Sequence, residues 1–307
     1  MPHTIDIDPA AWAREFQDGA ILAREHALFG TQLWHLLGPA AWVREEGDWI
    51  TASIGGKSVF VQRFRDDLAA FENVCAHRFY PLREGARGNG PLRCGFHGWM
   101  YNRHGEAIGV PLCEELYGRT RRELNRRLRP VALAQCGGLL FGRLPGENGP
   151  SLEAYLGELA PILARLTEEL APASTIETIA EANWKFCCHA ALDESGGRPV
   201  FHGLHSAAHD GEQPLRLHIF PSVTMTIAGS VSRISRYTPL SESRTRHDTW
   251  AFAAETEDLA RRDHAAEDTL ATQLQSAVPQ IWAPPIFGAG EERIAHFDAA
   301  YGSLMRS

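Results

Sequence analysis

Cys75-Ala-His77 and Cys94-Gly-Phe-His97, with residues 78–93 between them, are the stretch on which the fold turns. Each short segment supplies one thiolate and one imidazole, close to turn residues such as Gly90-Pro91, Gly95 and Gly98. A [2Fe–2S] core with two thiolates on one iron and two neutral imidazoles on the other needs this supply, from two loops that face each other across the cluster. Imidazole in place of thiolate removes negative charge and raises the reduction potential above that of an all-cysteine plant-type cluster. Zinc is the rival, since two Cys and two His also suit a tetrahedral site, although zinc fingers pair Cys with Cys and His with His at other spacings. The candidate cluster ligands are Cys75, His77, Cys94 and His97.

Outward from these loops the texture is that of short strands. Residues 42–54 and 57–64 alternate apolar and polar side chains around Gly55-Gly56, which predicts a hairpin. Gly- and Pro-punctuated runs continue to about Pro145. Before them, Asp8-Pro9 opens helical spacing that continues to Gly30, with a carboxylate at the cap and proline at the first position. After the break at residues 146–150, apolar residues from Leu152 to Leu170 recur at helical spacing. Strand-like runs come next at 215–227, 230–238 and 249–253, then a helical stretch from Thr256 to about Ala277. The expected fold class is α+β: an N-terminal helical segment (1–38), a small all-β domain (39–148) and an α+β domain (149–307) whose antiparallel sheet is flanked by helices.

Composition excludes several function classes. The 307 residues carry 30 Lys and Arg against 38 Asp and Glu, a net charge of −8. Arg121-Arg122 and Arg126-Arg127 are the densest basic positions and read as a solvated helix face, so a nucleic-acid partner is not expected. No apolar run approaches the length of about 20 residues that spans a bilayer, and the N-terminus has no signal-peptide pattern. A cytoplasmic protein is expected. Six cysteines are too few for a disulfide scaffold; Cys113, Cys136, Cys187 and Cys188 read as small buried hydrophobes.

Cys75-Ala-His77-Arg78 and Cys94-Gly-Phe-His97-Gly98-Trp99-Met-Tyr101 resemble the cluster loops of Rieske proteins. Respiratory-complex members add a cysteine to each loop, whereas Phe79, Tyr80 and Phe96 stand in that region here, as in the ferredoxin and oxygenase branch. His77-Arg78-Phe79-Tyr80-Pro81-Leu82 is similar to the oxygenase loop His-Arg-Gly-x-x-Leu, with Phe79 in place of a glycine that would permit left-handed backbone angles. The chain runs well beyond the length of a Rieske ferredoxin. Asn183-Trp184-Lys185, Phe220-Pro221-Ser222 and the segment 291–301 resemble, in family order, the catalytic domain of Rieske non-haem iron oxygenase α-subunits.

That resemblance implies a mononuclear iron held by two His and one carboxylate, leaving positions for O2 and substrate. At the family's spacing from Asn183, the first carboxylate position falls on Asp193 and the two His positions fall on Gly196 and Phe201, which bind no metal. Nearby, His202, His205 and His209 would lie on one face if the segment were helical. His202 and His205 are the expected ligands, His209 their substitute and Asp268 the carboxylate, with Glu267 and Glu257 as competitors. Asp193 takes the role by which the family passes electrons from the cluster of one subunit to the iron of its neighbour. His189, where the family often has an acid, has no assigned role. The implied activity is hydroxylation, dihydroxylation or dealkylation of a small organic, aromatic substrate. The implied partners are a reductase, with or without a ferredoxin, and the implied assembly is a homotrimer, because a head-to-tail contact must close into a ring. The alternative is an electron-transfer or binding protein on the same scaffold with a degenerate iron site.

Overall fold

The computed structural model describes residues 3–4, 8–146, 149–168, 170–193, 197–209, 211, 215–228, 230–252, 257–283 and 285–306. In chain order come β1 (His3–Thr4), α1 (Pro9–Arg14), α2 (Gly19–Gln32), β2 (His35–Pro39), β3 (Asp48–Ile54), β4 (Lys57–Phe64) and β5 (Asp67–Glu72). Then come β6 (Arg87–Asn89), β7 (Met100–Tyr101), β8 (Ala107–Gly109), α3 (Cys113–Tyr117), α4 (Arg121–Leu124), β9 (Ala132–Cys136) and β10 (Leu139–Arg143). Next are α5 (Leu152–Leu156), α6 (Leu159–Thr167), β11 (Ser174–Ala180), α7 (Trp184–Leu192), β12 (Arg198–His202), β13 (His205–His209), β14 (Leu215–Ile219) and β15 (Val223–Ala228). The last elements are β16 (Ser230–Ser241), β17 (Arg244–Ala251), α8 (Glu257–Ala277), β18 (Ile286–Phe287) and α9 (Glu292–Arg306). They form two compact units, Gly30–Leu152 and a second made of Met1–Phe29 with Glu153–Ser307.

In the first unit, β3 and β4 form the expected hairpin. Gly55 and Gly56 both have positive φ (53° and 73°), the backbone that a tight two-residue turn between twisted strands requires. The sheet order is β5-β4-β3-β6. Successive side chains of β4 point to opposite faces, and both faces are covered. Val59 and Val61 pack with Leu37, Ile50, Ile54 and Leu140. Phe60 turns the other way and joins Phe71, Leu82, Leu92, Trp99 and Tyr101 in a second core, which also takes in Cys75 and Cys94. The cluster loops therefore rest on their own hydrophobic floor.

The second unit is built on an antiparallel sheet of order β11-β17-β16-β15-β14-β13-β12. Every residue of α7 is buried, Lys185 and His189 included, so each of these two polar side chains is matched by an acid, Glu25 and Asp298. Its start is fixed by Asn183-Trp184-Lys185. The Asn183 side chain caps the helix by accepting from Lys185 N at 3.0 Å, and donates to Glu242 O at 2.7 Å. Trp184 Nε1 and Lys185 Nζ donate to the two oxygens of Glu25 at 2.7 and 2.6 Å, and Tyr301 OH adds a third donor at 2.7 Å. Glu25 and Lys185 are 2% and 1% exposed, so this pair stands only because its hydrogen-bonding capacity is met. The family-like triplet is thus an anchor for α2, α7 and α9.

Three local expectations change. The N-terminal helical spacing is split into α1, capped by Asp8 through Ala11 N at 3.1 Å, and α2; the part up to Phe29 packs in the second unit. Phe16 stacks on Phe186 with ring centroids 3.9 Å apart, the contact that draws it there. Residues 152–170 form α5 and α6, interrupted at Gly157, whose φ of +54° no regular right-handed helix accepts. The segment with His202, His205 and His209 is a β-hairpin, in which His202 faces His205 across a turn at Gly203-Leu204. Gly203 at φ +62° supplies the left-handed turn residue, and the segment adds two strands to the sheet edge where a helix was expected.

His218 on β14 is wholly buried, and burial, reinforced by the Arg293 guanidinium, pushes its imidazole down to about 3. The unfolded chain therefore binds a proton below its ordinary value of 6.5 that the folded chain refuses, and stability falls as pH drops from about 6.5 toward 3. At pH 5 the loss from this group is about 2 kcal/mol. Urea melts across that range should show His218→Gln with a flatter acid limb than the parent.

Candidate metal centres

The two cluster loops are copies of one backbone hook. Cys75 N donates to Tyr80 O (2.9 Å) and Phe79 N to Cys75 O (3.0 Å). Cys94 N donates to Trp99 O (2.8 Å) and Gly98 N to Cys94 O (3.0 Å). The fifth residue of each hook is left-handed, Gly98 at φ +72° and Phe79 at φ +63°. Phe79 keeps the backbone that a glycine would supply and takes the steric strain of a side chain there, so the loop is not reshaped by the replacement. A further support is Asn73. Its Oδ1 accepts from Leu82 N and Arg83 N, and its Nδ2 donates to Ser58 Oγ and Arg83 O, which ties the first loop to β4.

The hooks put sulfur inside and imidazole outside. Cys75 and Cys94 are 1% and 2% exposed, whereas His97 is exposed and His77 partly so. The His77 and His97 rings lie 4.7 Å apart. His77 stacks on Trp99 at 4.9 Å, and its Nε2 is 3.0 Å from the Tyr117 hydroxyl, which leaves Nδ1 as the nitrogen available to iron. Burial and the neighbouring His97 hold His77 below the usual imidazole range, in the neutral form a ligand needs. Burial pushes the Cys75 thiol up, and the Tyr101 hydroxyl pulls it back. Ala76 N donates to Tyr101 OH at 3.1 Å, so the phenol's own proton is directed at Cys75 Sγ, 3.0 Å away. A single zinc ion would draw its four donors to within about 4 Å of one another.

The second unit does not assemble the expected iron ligands. His205 is buried on β13, with Nε2 2.8 Å from Tyr155 O and Nδ1 accepting from Phe220 N at 3.1 Å. His202 on β12 pairs with Glu158 at 2.8 Å. Asp268, on α8, contacts His247 on β17. Four strand spacings separate β13 from β17, roughly 19 Å, so His205 and His202 share no ion with Asp268. His209 ends β13 on the same side of the sheet order. Gly196 lies outside the described residues, and Phe201 is 44% exposed and stacks against His296 at 4.5 Å. Asp193 is an exposed C-cap of α7, against the sense of the helix dipole. His189 meets Asp298 at 2.7 Å. Of the acidic competitors, Glu257 pairs with Arg261 and Glu267 is occupied by Arg233 (2.9 Å) and Tyr237 OH (2.8 Å).

Asp268 instead stands with His247 and His264, the three offering ligand atoms within 4.8 Å of one another. His247 Nδ1 is 2.9 Å from Asp268 Oδ1, and His264 Nε2 is 3.5 Å from Asp268 Oδ2. Burial, reinforced by His247, pushes His264 down to about 4. Burial works to raise the Asp268 carboxyl, but hydrogen bonds from His247 and Thr178 outweigh it and hold it below the usual range. The spacing of His247, seventeen residues before His264, matches no local metal motif, which is why the sequence does not reveal it.

The cluster loops yield two expected outcomes. Phe79 is 78% exposed, so Phe79→Gly removes little packing while relieving left-handed strain; unfolding free energy should rise by about 0.5–1 kcal/mol, read from denaturant midpoints. Tyr101→Phe removes a donor that favours the more negative, reduced sulfur, so the reduction potential should fall by roughly 60 mV, measured by redox titration of the visible spectrum.

A family model for the Rieske [2Fe–2S] domain matches residues 33–124. The chain is 31% identical over 175 residues to the large oxygenase component of a naphthalene 1,2-dioxygenase system from Pseudomonas aeruginosa, covering 55% of this chain and 39% of that one. It is 33% identical over 130 residues to the large oxygenase component of a 2,4-dinitrotoluene dioxygenase system from Burkholderia sp. (strain RASC), 41% of this chain and 29% of that one. The chain thus spans about two fifths of the length of the curated relatives it matches. Its fold is similar to the quaternary ammonium Rieske monooxygenase CntA, with a TM-score of 0.83 at 17% identity, over 95% of this chain and 94% of that one. It is also similar to naphthalene 1,2-dioxygenase from Rhodococcus sp., with a TM-score of 0.75 at 17% identity, over 95% and 93%. Residues 33–124 thus match a Rieske [2Fe–2S] domain, and the chain is similar in sequence and in fold to Rieske oxygenases.

Proposed function

We propose that this chain is the oxygenase component of a multicomponent system. It hydroxylates, dihydroxylates or dealkylates a small organic substrate, aromatic by its likeness to dioxygenase large components. The single observation that carries this reading is the pair of matched hooks, with two thiols buried together and two imidazoles facing outward, joined in one chain to an oxygenase-type second unit. Cys75, Cys94, His77 and His97 would hold the [2Fe–2S] cluster, and a mononuclear iron would belong to the second unit. When bound, the cluster supplies single electrons and the iron activates dioxygen.

The chain's own residues prepare those groups. Tyr117 and Trp99 fix the His77 ring, and Tyr101 biases the cluster toward its reduced form. Exposed His97 presents an imidazole edge to an incoming partner. The relatives are named as components of larger systems, and a reductase, directly or through a ferredoxin, is the electron donor proposed here. Asp193, exposed at its helix end, fits a relay between copies in a homotrimer. Among the described residues no disulfide joins any of the six cysteines. No helix among the described residues is long and apolar enough to cross a membrane.

One observation favours a second reading, an electron-transfer or binding protein: His202 and His205 lie far across the sheet from Asp268. Metal and acid-labile sulfide analysis of anaerobically purified protein separates the two. About three irons for every two sulfides is expected of the oxygenase, whereas about two for two supports the electron-transfer reading. A colourless protein holding only zinc overturns both.

A further inference from the structure

We propose that the second unit binds the carboxylate of an organic acid through Arg293 on α9 and Arg216 on β14, with the Ser206 hydroxyl of β13 as a further donor. This deepens the oxygenase reading and rests on it for one consequence, that the substrate is an acid.

Strand register puts the donors on one face. In the β13–β14 pairing Ser206 lies opposite His218 and Ala208 opposite Arg216, so Ser206, His218 and Arg216 point to the same side of the sheet. Arg293, in the first turn of α9, packs onto that side, its Nε donating to Ser206 Oγ at 3.3 Å. Two donor hydrogens are left over. Arg293 Nη1 is buried with no hydrogen-bond partner, and the Ser206 hydroxyl, having accepted from Nε, still has its own proton to give. Arg293 is 5% exposed and Ser206 is wholly buried, and Arg293 makes no ion pair among the described residues.

The distribution of charge points the same way. The acids nearby sit on a third guanidinium, Arg233, which meets Glu267 at 2.9 Å and Asp263 at 3.4 Å. Burial, reinforced by Arg216, pushes Arg293 down to about 10, and no carboxylate opposes that shift. Burial, reinforced by Arg233, also lowers Arg216, although Asp263 and Glu267 pull it back. His218 on the same face is held neutral and brings no negative charge. A buried guanidinium is costly without an anion beside it, and the two oxygens of a carboxylate match its planar fork of donors. Arg216 is only partly buried, so the site reaches solvent along β14.

The test is calorimetric binding of acetate, benzoate and phenylacetate, each against its amide, to the full chain with its cluster in place. At least one acid should bind at least tenfold more tightly than its amide. Arg293→Met should erase that preference and leave the amide's affinity and the cluster's visible spectrum unchanged. A parent without such a preference, or a preference that survives in Arg293→Met, overturns the site. Should Arg293→Met fail to fold, Arg216→Gln and Ser206→Ala decide: a preference weakened in both supports the site, and one unchanged in either overturns it. The iron and sulfide count judges the oxygenase reading separately. Three irons per two sulfides without the preference overturns this site alone, and two per two with the preference kept leaves a protein that binds an acid without oxidising it.

Discussion

Holding two thiols and two imidazoles against a shared core demands two loops of the same shape, and the Cys75–Tyr80 and Cys94–Trp99 hooks meet that demand with the same pair of backbone bonds. Each hook needs one left-handed residue to reverse the chain. Gly98 provides it freely, and Phe79 provides it under strain. Because the backbone bonds set the direction of each cysteine, sulfur falls onto the floor built by Phe60, Phe71 and Tyr101 while the histidines turn outward. The exposure of the imidazole edge and the Tyr101 contact at the sulfur edge are both consequences of that one constraint.

The second unit obeys a different ruler, the fixed distance between neighbouring strands. A sheet of this order keeps the hairpin histidines at one edge and His247 next to the other edge, whatever their separation in sequence. Buried polar groups gather where α8 packs on the sheet: Arg233 and Tyr237 lie on Glu267, and Thr178 and His247 on Asp268. In a low-dielectric interior such a network is stable only when its members are matched, which locks α8 in rotation and fixes which carboxylate faces the imidazoles. Glu25 plays the same part for Asn183-Trp184-Lys185, a triplet whose value is structural: it seats α7 against α2 and α9.

The cluster loops are legible in the residues because their chemistry is local. A Cys and a His two or three positions apart on a turn need little else to be recognised. The hairpin at Gly55-Gly56, the strands from 215 to 251 and the helix ending at Ala277 come from periodicity and turn chemistry. The histidines from 202 to 209 mimic a helix because three- and four-residue spacing also occurs by accident in a hairpin. Gly203 makes the difference by turning the chain there. Asn73, Tyr101 and Tyr117 give no signal of their own, since a lone polar residue carries no sign of the loop it will brace.

Residue order alone singled out four candidate loop donors, the mainly β character of the stretch around them and the α+β character of the remaining chain, because those depend on contacts within a few turns of backbone. Folding alone settled which histidines stand beside Asp268. That meeting joins a strand to a helix across the width of a packed seam, and its distances arise from sheet order and helix rotation, quantities that no local spacing encodes.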